Sequence, residues 1–341
     1  MSSIDAGPLG LKDIAGKVGV STTAVSNVLN NKPIRIGDAK RRLILHTARA
    51  LHYRPNLAAC SLKSKKARAI GIVVPDMTTL HYPELIRRLE VALFSNGYQT
   101  LICNSQDDGA CEREHLAALC SRFVDGLAVV PAEGGINAPL LRRIANSGTL
   151  VLCVDIYLPK ERFHYVTTDG RAAAREGALW LVNAGVKKLY YLGERRRHPV
   201  LDDRLGGVAD AARLDPDAIL LCPPVREHVH ERLLPVLRRL PAGSGIFLES
   251  NRLLPGLLDA ARDTGVTLPG RLRVIGFDPP VLTIHRAKDF SSWRMLTGPV
   301  PVIRQDVATM ADHAAEYLTV TLANPSARFV PVRVAAELCL P

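Results

Sequence analysis

The chain reads as an all-α helix-turn-helix headpiece joined to an α/β core of parallel sheets, and three observations predict this. Leu11, Ile14, Ala15 and Val18 recur at the spacing of one helix face, as do Ala24, Val25, Val28 and Leu29, with Gly19-Val20-Ser21 between them. Positive charge is concentrated in residues 1–70, which hold 13 Lys or Arg against Asp5, Asp13 and Asp38. From Ala69 onward short apolar runs alternate with amphipathic helical stretches, the pattern of βα units.

In the first helix pair the glycine permits a turn at positive φ, and the Ser21 hydroxyl can accept a backbone N–H at the start of the second helix. That helix keeps an outer face of Thr22, Thr23, Ser26, Asn27 and Asn30, short side chains able to reach base edges or phosphates. The same face on an isolated hairpin could equally be a solvated surface. Asp38 is expected to cap a third helix over 39–51, with Leu43, Ile44, Thr47, Ala48 and Leu51 on its inner face. After the break at Tyr53-Arg54-Pro55-Asn56, Asn56 can cap a short helix over 57–63. Isolated helices shorter than about 12 to 15 residues are marginal in water, so this one needs a partner to hold it.

The charge distribution separates the headpiece from the rest. The formal net charge is +11, of which residues 1–70 carry +10. A basic head on a nearly neutral body fits phosphate-backbone binding by the head alone. At 341 residues the chain exceeds one small core, since domains run roughly 100 to 200 residues. No leader pattern is visible and no run approaches the ~18 apolar residues of a membrane span, so a cytoplasmic protein without membrane contact is expected. The seven cysteines form no CxxC pair and read as buried reduced thiols.

In the core, strands are predicted over 69–75, 98–104, 126–131, 149–155, 188–192, 218–221, 245–248 and 272–277. Helices fall between them, such as 83–96 with Leu85, Ile86, Leu89, Ala92 and Leu93 inward and Gly97 as its stop. Eight strands exceed one comfortable unit, and a break near 163–168 divides them into two similar halves. A final helix over 303–321 and a run over 329–335 must pack on one or both.

Together these residues resemble the LacI/GalR family of transcriptional regulators over nearly the whole chain. In the headpiece the resemblance is carried by Leu11-Lys12-Asp13-Ile14-Ala15, Gly19-Val20-Ser21, Val25-Ser26, Val28-Leu29-Asn30, Tyr53-Arg54-Pro55-Asn56, and Ala59 with Leu62. In the core it is carried by Ile70-Gly71, Pro75-Asp76, Val124-Asp125-Gly126, Asp155, Asp169, Arg204 with Gly207, Ile275-Gly276-Phe277-Asp278 and Arg304-Gln305. The spacing from Leu80 to Asp108 and the text around Ser250 are similar to the branch that contains the fructose repressor.

The resemblance implies a homodimer on a palindromic DNA operator, with headpiece 1–55, hinge helix and linker 56–68, and a two-lobed, periplasmic-binding-protein-like core 69–341. The N-lobe is expected over about 69–165 and 298–325, the C-lobe over about 166–297 and 326–341. Each half-site would be read by Thr22, Thr23 and Asn27, supported by Ser26, Asn30, Tyr53 and Asn56. Relatives more often carry arginine at position 27. Asparagine suits adenine N6 and N7 instead of guanine O6 and N7, so a different operator is expected. Ala59 and Leu62 map onto positions that enter the central minor groove, where a leucine wedge kinks the duplex. Leu62 could otherwise simply pack on its dimer mate.

The effector of such a protein lies between the lobes at the carboxyl ends of strands. Asp76, Thr79, His81, Tyr82 and Asp155 are the candidates on one side, and Arg204, Ser250, Asn251 and Asp278 on the other. Carboxylates and an arginine fork suit a polyhydroxylated ligand, so a sugar or sugar phosphate is expected. Any one of these residues could instead be a strand-end cap or surface ion pair. Ser250-Asn251 departs from the Asn-Asp of many relatives, which weakens the transfer of a neutral-sugar pocket. The run Arg195-Arg196-Arg197-His198 is either a phosphate grip or a solvated loop. No GxSxG, HExxH or GxxxxGK[ST] pattern occurs, so no catalytic residue, metal ligand or cofactor is expected. A non-sugar corepressor uses the same parts. A solute-binding protein is the rival class, disfavoured by the basic head. No heptad run follows the last strand, so dimers are expected in preference to tail-built tetramers.

Overall fold

The computed structural model describes residues 10–29, 32–51, 53, 67–78, 81–121, 124–278 and 301–340. The chain divides into two compact units between Lys65 and Lys66.

Unit one is the headpiece, helices α1 (Leu11–Val18), α2 (Thr22–Leu29) and α3 (Asp38–Ala50). Gly19 closes α1 at φ 67°, and its N–H donates to the Ala15 carbonyl at 2.9 Å. Ser21 Oγ accepts the Ala24 N–H at 3.1 Å, the expected cap of α2. Ile14, Val25 and Ile44 are fully buried and draw the three helices onto one small core. Two expectations fail here. Asp38 is the first helical residue, with Gly37 in the cap position, so its carboxylate serves the helix dipole and not a backbone N–H. Leu43, expected inward, is 47% exposed, because Ile44 and Ala48, with Leu51 beyond them, fill the narrow stripe that faces α1 and α2. The predicted hinge helix lies outside the described residues.

Unit two contains two six-stranded sheets. Sheet one takes β1 (Ala69–Val74), β2 (Gln99–Asn104), β3 (Gly126–Val129), β4 (Leu150–Val154), β5 (His164–Thr168) and β11 (Val332–Val334), in the order β11-β5-β4-β3-β1-β2. Sheet two takes β6 (Lys188–Glu194), β7 (Ile219–Cys222), β8 (Ser244–Leu248), β9 (Leu272–Phe277), β10 (Val302–Gln305) and β12 (Ala336–Cys339), in the order β12-β10-β9-β8-β6-β7. Pairing is parallel except between β10 and β12. Each sheet is covered on both faces, as parallel sheets must be. Helices α4 (His81–Ser95), α5 (Gly109–Ser121) and α6 (Ala138–Asn146) follow β1, β2 and β3. Helices α7 (Gly170–Asn183), α8 (Pro199–Ala211), α9 (Arg226–Arg238) and α10 (Leu254–Thr264) serve the second sheet. Leu85, Ile86, Leu89 and Leu93 of α4 are buried as predicted. Each stabilises the layer by about 1.5–3 kcal/mol relative to exposure. Gly207 lets α8 press against α7, since a Cβ there would run into the Arg171 carbonyl.

The lobe boundaries depart from the expected ones. The chain leaves the first lobe after β5, at Asp169, because β5 pairs with β4 while α7 packs on the second sheet. It returns at Asp306, because β10 pairs with β9 while α11 (Val307–Ala323) packs beside α4 on the first. It crosses a third time at Ala335, between β11 and β12. The sequence pattern predicts a break where β5 lies and the start of a helix over 303–321 where β10 lies. Both are short and end in polar residues, and Ile303 happens to continue the helical spacing of α11. Of the described cysteines, Cys153 and Cys222 are buried, while Cys103, Cys111, Cys120 and Cys339 are only half-buried. Among the described residues no helix is long and apolar enough to cross a membrane.

Candidate functional site

The carboxyl ends of both sheets converge on one cavity of about 430 Å³. The first lobe contributes Asp76, His81, Tyr82 and Asp155, and the second Arg204, Ser250, Asn251 and Asp278. Eight residues named from sequence are thus brought together. Thr79 lies outside the described residues.

Asp155 directly follows β4 and is held in the left-handed region at φ 64°, a conformation uncommon for a residue with a Cβ. Its N–H donates to the Val166 carbonyl at 2.8 Å, and its side chain turns into the cleft. There Oδ2 accepts the Tyr82 hydroxyl at 2.9 Å, and Oδ1 stands 3.5 Å from His81 Nε2. Burial alone would raise the Asp155 carboxyl. The His81 charge, with help from Arg204 and Tyr82, outweighs burial and holds it at about 2. Conversely, burial works against a charged His81, but Asp155 prevails and the imidazole pKa is raised. Burial, then the Asp155 charge, pushes the Tyr82 phenol well above its usual range. Neither ring nitrogen of His81 has hydrogen-bond geometry to a partner among the described residues.

The facing wall is built on Arg204 of α8. Its Nη1 donates to the Glu249 carbonyl at 2.7 Å, and its guanidinium lies 3.9 Å from the centre of the Phe277 ring. Its Nε is buried without a partner among the described residues. Beneath it the Glu249 carboxylate accepts from the Tyr191 hydroxyl and from the Glu194 N–H at 2.6 Å. Burial pushes that carboxyl up to about 7. Asp278 directly follows β9 at φ 60° and accepts from Gln305 Nε2 at 2.8 Å, while Gln305 Oε1 accepts from the Thr168 hydroxyl at 2.6 Å. That chain of bonds ties the ends of β5, β9 and β10 where the lobes meet.

From sequence Arg196 and His198 are named only within a run that is either a phosphate grip or a solvated loop, and the rest of the wall is missed. Asn104 ends β2 with Gln106 and Asp107 after it, Glu194 ends β6 with Arg196 and His198 after it, and Arg252 and Gln305 complete the second lobe. The strand-end rule applied to every strand, instead of to the motif-bearing ones, would have found most of them. The basic run splits: Arg195 and Arg197 are exposed, whereas Arg196 and His198 turn inward. Burial lowers the His198 pKa despite the neighbouring Asp107. Among the described residues no group of three or more His, Cys, Asp or Glu is arranged to hold a metal ion.

On the headpiece, Thr22 and Thr23 are exposed on the first turn of α2, and Ser26 and Asn27 are half-buried on the next. Tyr53 is half-buried against the headpiece core. Asn30, Asn56, Ala59 and Leu62 lie outside the described residues.

Comparison with known proteins follows the same division. Residues 10–56 match the profile described as "Bacterial regulatory proteins, lacI family". The sucrose operon repressor of Pediococcus pentosaceus is 29% identical over 283 residues, covering 80% of this chain and 82% of its own. Among solved structures, the lac repressor dimer bound to operator and the anti-inducer ONPF superposes with a TM-score of 0.80 at 18% identity, over 97% of this chain and 98% of that one. A complex of the transcriptional regulator CelR with cellobiose superposes at 0.69, with 18% identity and the same coverage.

Proposed function

The chain belongs to the LacI family of bacterial transcriptional regulators, and from that premise we propose that it is a cytoplasmic, homodimeric repressor whose grip on a palindromic operator is controlled by a carbohydrate or carbohydrate phosphate. The observation that carries this reading is the cleft itself, in which side chains from the carboxyl ends of two sheets face one another across about 430 Å³. That volume suits a small ligand, and paired carboxylates, amides and guanidinium groups suit neighbouring hydroxyls. We read it as a binding site, not a catalytic one. The relative named for a sucrose operon and the one solved with cellobiose support the carbohydrate class.

On the DNA side, Thr22, Thr23 and Asn27 of α2 are the proposed base readers. Ser26, Asn30, Tyr53 and Asn56 steady the headpiece on the duplex, while Ala59 and Leu62 act at its centre. Asn27 favours adenine at the base it reads. Dimerisation is supported by large apolar side chains left exposed on one edge of each sheet: Val91, Phe94 and Ile102 on α4 and β2, Leu221 and Val225 at β7. Ligand closure of the lobes would change the spacing of the hinge segments and release the operator.

Operator binding measured by fluorescence anisotropy tests this reading. Affinity should fall steeply with salt and disappear on deletion of residues 1–60. Leu62→Ala should weaken specific binding more than nonspecific binding. Affinity insensitive to both salt and the deletion would overturn the DNA-binding assignment.

A further inference from the structure

Resting on that reading and narrowing it, we infer that Asp107 is a specificity-determining residue: by pairing with Arg196 across the cleft it makes the cavity prefer uncharged, hydroxyl-rich ligands over phosphorylated ones. In sequence the run containing Arg196 looks like a phosphate grip. The structure spends its charge otherwise.

Asp107 stands in the first lobe, on the loop after β2, and Arg196 in the second, on the loop after β6. Arg196 Nη1 is paired with Asp107 Oδ2, and its Nε lies 3.3 Å from Glu194 Oε2. The backbone beside it is clasped as well. The Arg197 N–H donates to Glu133 Oε1 at 3.1 Å, and the Arg197 carbonyl accepts from Gly134 at 3.0 Å. Arg252 leans on the same Glu194 at 3.5 Å, and Arg204 is bound to a carbonyl and the Phe277 ring. The three described arginines of the wall thus each have a partner before any ligand arrives.

Beside the unpartnered Arg204 Nε and His81 ring nitrogens, the described wall also leaves acceptor capacity over. Asp107 Oδ1 is buried without a hydrogen bond among the described residues, with His198 Nε2 at 3.9 Å. Five carboxylates line the described cavity against three guanidinium groups. A hydroxyl can donate to such a wall. A phosphate can only accept from it, and to reach Arg196 it must displace Asp107 and sit beside Glu194, so like charges meet in a partly dehydrated space.

Asp107 is also held in place. Gln106 and Asp107 take φ values of 54° and 57°, and Asp108 caps α5 by accepting from Ala110 at 2.6 Å. Glu112, buried on that helix, accepts from the Ala132 N–H at 2.6 Å and from Asn137 Nδ2 at 2.8 Å, joining this loop to the one that carries Glu133. The carboxylate is therefore presented by a fixed loop, and removing its charge frees Arg196 Nη1 for a ligand while Nε stays beside Glu194.

The experiment is isothermal titration of the full chain and of Asp107→Asn with matched pairs: ribose and ribose 5-phosphate, glucose and glucose 6-phosphate, fructose and fructose 1-phosphate, with inorganic phosphate as a separate probe. The wild-type chain should bind a parent sugar more tightly than its phosphate. Asp107→Asn should shift that ratio toward the phosphate by about tenfold or more, and adding Arg196→Ala should remove the gain. A merely structural role for Asp107 would weaken both members of a pair alike and leave the ratio unchanged, which overturns the inference. Wild-type preference for a phosphorylated member overturns it even if the variant fails to fold, and leaves the carbohydrate reading standing. Binding of nucleobases or amino acids with no response to any sugar or sugar phosphate overturns that reading and the inference with it.

Discussion

Asp155 and Asp278 occupy matching places in the two lobes. Each directly follows a central strand in a left-handed conformation, each donates its N–H to the next strand, to Val166 and Ile303 at 2.8 Å, and each faces the cleft. Each of those next strands then runs into an aspartate that caps a helix of the opposite lobe, Asp169 before α7 and Asp306 before α11. The side-chain surroundings differ. Asp155 is enclosed by His81 and Tyr82, whereas Asp278 is only half-buried and meets Gln305. The second lobe instead buries Glu249 beneath the cleft, where its pKa rises to about 7, while that of Asp155 falls to about 2. One backbone design repeated twice thus yields a carboxylate committed to its own lobe and another available to a ligand, depending on whether a cation is buried beside it.

The largest effect should come from breaking the first arrangement. Asp155→Asn leaves His81 buried without its counter-charge and should cost about 2–4 kcal/mol in urea denaturation of the core. A loss under about 0.5 kcal/mol would mean the pair contributes little. Glu249 should give a pH dependence of the opposite sense. Its folded pKa, about 7, exceeds the carboxyl value of 4.5, so the folded state favours the proton. Its contribution is most favourable below pH 4.5 and declines by about 3 kcal/mol as pH rises through about 7. Asp155 behaves conversely, its contribution being present above pH 3.8 and lost as pH falls through about 2. Stability curves of wild type and Glu249→Gln should therefore diverge between about pH 5 and about pH 8, with parallel curves counting against a buried titrating Glu249.

Asp278→Asn sharpens the contrast with Asp155. It should change stability by less than about 1 kcal/mol yet weaken effector binding about tenfold, read by titration of whichever ligand binds the wild type. A stability loss equal to that of Asp155→Asn would erase the distinction between the lobes. The smallest effects belong to the crossing caps. Asp169→Ala and Asp306→Ala should each cost about 1 kcal/mol. Asp306 should cost more, since its carboxylate accepts from both the Thr309 N–H at 3.0 Å and the Thr309 hydroxyl at 2.7 Å, and Asp169 from Ala172 at 3.2 Å.

The sequence alone determined what local forces determine. Helical spacing and a glycine turn specified α1 and α2, and apolar runs located eight of the strands within a few residues of their observed bounds. Motif text and strand-end position named eight described residues that the fold brings to one cavity. The tertiary structure decided what depends on partners far along the chain. Strands β5 and β10 are too short and polar to announce themselves, and they exist because β4 and β9 offer an open edge. That edge pairing in turn set the crossings at Asp169, Asp306 and Ala335. Whether Arg196 is a free cation or half of an ion pair likewise rests on Asp107, 89 residues earlier and in the other lobe. No window of sequence contains both, and only the folded chain brings the two charges together.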